Sequence, residues 1–180
     1  MRAEQIKHEV ARLKARYQTS DPKELCEALN IMLLEKSMGT KPGSCKGFFL
    51  VAGRCKVATI NSDLTLPVQK LSTFHEAGHG FLHADSGIKT FHDFTLLDKA
   101  DRKELEANIF AAEYMVSDDD LFDLLNQGLD IFSAASTLGV PPELLDFKLQ
   151  LLEREGYPIT APRFSRSDFL KRDVERPFIS

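Results

Sequence analysis

The chain has 180 residues and a mass of 20.2 kDa, with 27 acidic and 23 basic side chains and a formal charge of −4. That length supports one domain with a hydrophobic core and is short for two. The acid excess speaks against a nucleic-acid-binding domain, which ordinarily carries a basic surplus. No segment approaches the roughly eighteen consecutive apolar residues of a membrane span. The N-terminal stretch MRAEQIKHEVARLKARY has no apolar core of signal-peptide length, and Cys26, Cys45 and Cys55 lack CxxC spacing. The expectation is a cytoplasmic protein with reduced thiols, no membrane attachment and no direct contact with nucleic acid; oligomeric state is left open.

In chain order, Ile6, Val10, Leu13 and Tyr17 recur at helical spacing. A second helix opens at SDPKEL, where Asp21 serves as N-cap, Pro22 takes the first helical position and Glu24 completes a capping box. Two β-rich runs, Phe48 to Ala52 and Cys55 to Ile60, flank Gly53-Arg54 and predict a hairpin. Leu71, Phe74, Gly78 and Phe81 or Leu82 follow the 3.6-residue period after Pro67 and mark an amphipathic helix. The piece KTFHDFTLL reads as a loop with a short extended segment. In it His92 could orient a substrate, although a lone loop histidine is more often a solvated or capping residue. Leu105, Ile109, Ala112 and Met115 or Val116 mark the next helix, and Ser117 to Asp120 resembles a capping box for the one after. Two further helices break at Gly139-Val140-Pro141. The weakly periodic 163–180 reads as a mobile tail or an arm docked on a partner. The expected fold class is α+β: a mainly helical single domain over 1–162, with a small antiparallel β-hairpin or sheet packed on the helix that holds HEAGH.

That helix carries the chemistry. In STFHEAGHGFLH, His75 and His79 lie one turn apart, so both imidazoles leave one face and can hold a single zinc ion. Glu76, about 100° around from His75, can lie beside the ion, where it would take a proton from water and give it to a leaving amine. Glu76 is therefore expected as catalytic acid/base and not as a ligand. Gly78 and Gly80 suit close backbone approach near the metal, although each costs about 1 kcal/mol relative to alanine in a helix, a cost that something must offset.

A catalytic zinc site needs a third protein ligand. His83 lies about 12 Å along the axis from His75, too far to share the ion, and is expected to be structural or to support a ligand. The helix ELEANIFAAEY offers Glu104, Glu106 and Glu113. Glu106 and Glu113 are about 10 Å apart along the axis and cannot both reach one ion, and Glu104 points away if Glu106 faces the metal. Residue chemistry leaves the choice open.

HEAGHGFLH, then TFHDFT, then ELEANIFAAEYMVSDDDL resembles the ImmA/IrrE family of zinc metallopeptidases, whose pattern is HExGHxxLH, a T-x-F stretch and E-A-N-x-F-A-A-E. KGFFLVAGRCKVATIN and LGVPPELLDFKLQLLE resemble the family's hairpin and C-terminal helix, so the likeness spans roughly residues 25 to 155. The resemblance implies His75, His79 and Glu106 as ligands of one zinc ion and Glu76 as the catalytic acid/base. Ser117-Asp118 departs from the aliphatic-Pro pair of many relatives and bears on a helix cap.

The resemblance also implies a bacterial or phage endopeptidase that cuts a helix-turn-helix repressor encoded beside it. The band from Asp98 to Asp123, with nine acids and three bases, could attract such a basic partner, though helix capping explains most of it. Tyr114, Tyr157 and Arg163 are weak candidates for stabilising an oxyanion and more naturally core or surface residues. Two alternatives use the same residues differently. One is a zinc-bearing regulator that binds without cutting. The other is a DNA-binding module over 133–153, which Glu143, Asp146, Glu153 and Glu155 oppose by outnumbering Lys148 and Arg154.

Overall fold

The computed structural model describes residues 1–41, 43–83, 89–91 and 102–159. His92, Arg163 and the tail 163–180 lie outside these, so the expectations attached to them do too. Among the described residues the elements are α1 (Ala3–Tyr17), α2 (Pro22–Ala28), β1 (Ile31–Lys36), β2 (Gly47–Ala52), β3 (Cys55–Asn61), α3 (Leu66–Leu82), β4 (Lys89–Phe91), α4 (Arg102–Met115), α5 (Asp118–Asn126), α6 (Ile131–Leu138) and α7 (Pro142–Arg154).

Local chemistry accounts for most boundaries. Asp21 caps α2 by accepting from the backbone N–H groups of Lys23 and Glu24. Glu24 does not close the expected capping box; it pairs with the Thr19 hydroxyl, and Thr19 Oγ1 accepts the Asp21 N–H. Ser117 caps α5 by accepting from Asp120 N–H, and Gly139, at φ +63°, ends α6 in the left-handed region that glycine tolerates.

The expected hairpin is β2 and β3, antiparallel, with Ala52 opposite Cys55 across Gly53-Arg54. The sheet is larger than that hairpin: its order is β1-β3-β2-β4, with β1 parallel to β3 and β4 antiparallel to β2. Ile31 to Lys36 escaped the sequence reading because only Ile31 of that strand is fully buried and Met32 and Leu34 stay exposed, so the apolar run IMLL shows no alternation. Asn30, at φ +55°, turns the chain out of α2 directly into the strand.

One face of the sheet lies on α3, and α4 covers the other side of that helix, with α1 and α7 packed on α4. The two glycines of α3 make this layering possible. A Cβ on Gly80 would collide with the Ile31 side chain and touch Phe49; one on Gly78 would meet the Phe110 side chain at 3.1 Å. Their helix-propensity cost is offset by tight packing on the sheet and on α4, not by approach to a metal as the sequence suggested. Lys56 Nζ adds a tie from β3 by donating to the Gly80 carbonyl at 2.8 Å.

Away from that layer, Lys148 of α7 is 0% exposed yet charged. Its Nζ lies 2.7 Å from Glu113 and 2.6 Å from Asp118, and Lys7 of α1 reaches Asp118 at 3.3 Å and Glu155 at 2.6 Å. This cluster joins α1, α4, α5 and α7. Removing one partner of a buried ion group leaves uncompensated charge, so Lys148→Met is expected to lower unfolding free energy by about 3 kcal/mol. Denaturant titration checks this; an unchanged midpoint would mean the cluster is energetically idle.

Candidate metal centre

His75 and His79 lie one turn apart on α3, both essentially buried, with Nε2 atoms 3.0 Å from each other. Glu104, near the start of α4, brings a carboxylate oxygen to 3.2 Å from His75 Nε2 and 3.3 Å from His79 Nε2. These are the His/Cys/Asp/Glu side chains among the described residues whose ligand atoms converge on one point.

Glu104 thus stands beside the two histidines, at the place for which the family resemblance implied Glu106. Glu106, about 200° further around α4, turns to His83 instead: its Oε2 lies 2.9 Å from His83 Nε2, and its Oε1 accepts from Arg102 Nε at 3.0 Å and meets the Met1 amino group. Glu113 is held in the cluster with Lys148 and Lys7. A usable signal for Glu104 was present. Asn108 is a polar residue inside the apolar run of α4, four residues on and therefore on the same face as Glu104, and both touch His75.

The hydrogen bonds behind the histidines decide what their front atoms can do. Asn108 Oδ1 accepts from His75 Nδ1 at 2.8 Å, which puts the proton of the neutral ring on Nδ1 and leaves a lone pair on Nε2. His79 Nδ1 is likewise engaged from behind, 3.2 Å from His83 Nδ1. Two imidazole lone pairs and a carboxylate facing one another at these separations repel unless positive charge lies between them. Donor atoms around a tetrahedral ion with the usual zinc–ligand lengths are roughly 3.3 Å apart, which matches the observed spacing. The donor set therefore fits a divalent metal.

Burial would raise the Glu104 carboxyl, but positive charge facing it from the side of His75 and His79, whether ring protons or a metal ion in their place, outweighs that and holds it well below the usual carboxylate range. Burial likewise opposes the ionised form of Glu106, yet His83, the Met1 amino group and Arg102 bring it down to about 2. Glu76, 2% exposed, moves the other way: burial first, and then the negative charge of Glu104, push its carboxyl well above the ordinary value. Its Oε1 lies against Gly47 at the start of β2, where an added Cβ would come within 3.3 Å of that oxygen. Gly47 leaves room for the Glu76 carboxylate, a role the sequence did not reveal. The loop before Gly47 is fixed by Asn61, which is buried and donates through Nδ2 to the carbonyls of Gly39 and Cys45.

Of the three side chains considered for an oxyanion, Tyr114 is buried and stacked on Phe74 with centroids 4.8 Å apart, which is a core position. Tyr157 lies on Phe122 at 5.3 Å, outside the group around His75. The DNA-binding alternative loses its lysine, because Lys148 is buried in the ion cluster and α7 packs its apolar side into the core. No helix among the described residues is long and apolar enough to cross a membrane.

Comparison with known proteins gives the family of the chain. Residues 26–150 match the Peptidase M78 family model, described as an IrrE N-terminal-like domain, and so include His75, His79, Glu76 and Glu104. The chain is also 32% identical over 143 residues to "Uncharacterized immunity region protein 2" of Bacillus phage phi105, a match covering 79% of this chain and 88% of that protein. A family match over more than two thirds of the chain, set on a fold whose two central helices bring two histidines and a glutamate together, leads to one conclusion: this chain belongs to the Peptidase M78, IrrE N-terminal-like family of metallopeptidases.

Proposed function

We propose that the protein is a zinc-dependent endopeptidase in which His75, His79 and Glu104 hold one zinc ion and Glu76 is the catalytic acid/base. The observation that carries this reading is the convergence of three donors on one point, with a buried carboxyl on the residue next to the first histidine. Zinc bound there would supply Lewis acidity, polarising the scissile carbonyl and making an attacking water more acidic. The chain's own groups do the rest. Asn108 keeps the His75 ring oriented through its Nδ1 hydrogen bond. Glu76 Oε1, with space guaranteed by Gly47, takes the proton from the attacking water and delivers it to the leaving amine. Its raised proton affinity suits a group that must both accept and return a proton.

The substrate we propose is a basic helix-turn-helix repressor of a phage or other mobile element, cut at a specific site in the cytoplasm. The relative named for a phage immunity region supports this context. The acidic band contributes less, since Glu113 and Asp118 are already paired with Lys148 and Lys7 and Asp118 to Asp120 sit in the first turn of α5.

Two experiments test the roles. Glu76→Gln, which preserves shape and removes the proton acceptor, is expected to keep stoichiometric zinc and to lower cleavage of the cognate repressor by at least about a thousandfold. Normal turnover by that variant would refute the acid/base assignment, and zinc-loaded wild-type protein that binds the repressor without cutting it would favour a purely regulatory role. For the ligands, Glu104→Ala is expected to lose zinc on desalting while Glu106→Ala retains it. Metal analysis showing the opposite order would return the third position to Glu106.

A further inference from the structure

His83 is not one of the three converging donors, yet it is buried and held on both ring nitrogens. It follows α3 as its C-terminal cap residue, and its φ of −133° swings the side chain off the helical path. The ring thereby fits between His79 and Glu106, with Nδ1 at 3.2 Å from His79 Nδ1 and Nε2 at 2.9 Å from Glu106 Oε2.

Donor and acceptor counting fixes the protons along this line. An ionised carboxylate only accepts, so His83 Nε2–H donates to Glu106. Neutral His83 then has a lone pair on Nδ1, which accepts from His79 Nδ1–H. His79 is left with its lone pair on Nε2, the atom that faces His75 and Glu104. Arg102 and the Met1 amino group, both on Glu106 Oε1, keep that carboxylate oriented. His75 obtains the same tautomer from Asn108. The two histidines are thus prepared for metal by different means, one through an amide carbonyl and one through a histidine and a carboxylate.

We propose that His83 and Glu106 are a positioning pair for the metal: they fix the tautomer and ring orientation of His79, and so set the affinity of the site for zinc. The inference rests on the metal-site reading above and adds to it the source of His79's orientation. Partners that hold a metal-ligating histidine from behind commonly account for a 10- to 100-fold change in metal affinity.

The test is zinc affinity of the full chain, measured by competition with a chromophoric chelator, for wild type, His83→Leu, His83→Gln and Glu106→Gln. Thermal unfolding of each metal-free protein serves as the folding control. Leucine keeps apolar bulk without hydrogen bonds, whereas a glutamine amide can accept from His79 and donate to Glu106. Glu106→Gln leaves both rings in place and removes the charged acceptor, so it remains informative if His83→Leu does not fold. We expect zinc to bind about 10- to 100-fold more weakly to His83→Leu and Glu106→Gln, and His83→Gln to recover most of the loss. Wild-type affinity in Glu106→Gln, or a His83→Gln as weak as His83→Leu, would overturn the positioning role while leaving the metal site intact. A wild-type protein that takes up no zinc would overturn both.

Discussion

The constraint on which this structure depends is the burial of a polar helix face. α3 places His75, Glu76 and His79 in the interior, each at most 2% exposed, between a sheet and a second helix. Buried polar groups without partners cost roughly 1–3 kcal/mol each, and a charged one more. The surrounding polar residues are arranged to meet that cost: Asn108 and Glu104 come from α4, and His83 follows α3 and is itself held by Glu106. The cation proposed for the three converging donors would complete the balance, and its binding would then be linked to the stability of the helix pair.

Close packing sets the distances on which that chemistry relies. Gly78 lets α3 approach the Phe110 side chain of α4, and Gly80 lets it approach Ile31 and Phe49 of the sheet. Gly47 does the equivalent work for the Glu76 carboxylate. Each of these positions would place a Cβ against a neighbour, so substitution there would move elements that carry ligands. The ion cluster of Lys148, Glu113, Asp118 and Lys7 acts at the far end of α4, where it anchors the same helix whose first turns present Glu104 and Asn108.

Much of this was legible in the residues. Short-range rules found the helices, the hairpin and the caps at Asp21 and Ser117, because each is written within a few consecutive positions. The HEAGH spacing identified His75 and His79, which the structure brings together. What escaped depends on long-range geometry. β1 hides its period in a run of four apolar residues and gains its place by parallel pairing with β3. Which glutamate of α4 faces the two histidines depends on how α4 is rotated against α3, and the family pattern pointed to Glu106 whereas the structure sets Glu104 beside them. Asn108, on the face of Glu104, was the local clue. Glu106 proved to be the partner of His83, a residue set aside as too distant to be a ligand and connected to the site through His79 instead.

The most direct measurement is an anomalous difference map, collected at the zinc absorption edge, from a crystal of the zinc-loaded protein. One peak is expected, within bonding distance of His75 Nε2, His79 Nε2 and a Glu104 carboxylate oxygen, with Glu76 beside it but not bound. A peak liganded by Glu106, or no peak between the two histidines in a protein that contains stoichiometric zinc, would contradict this account.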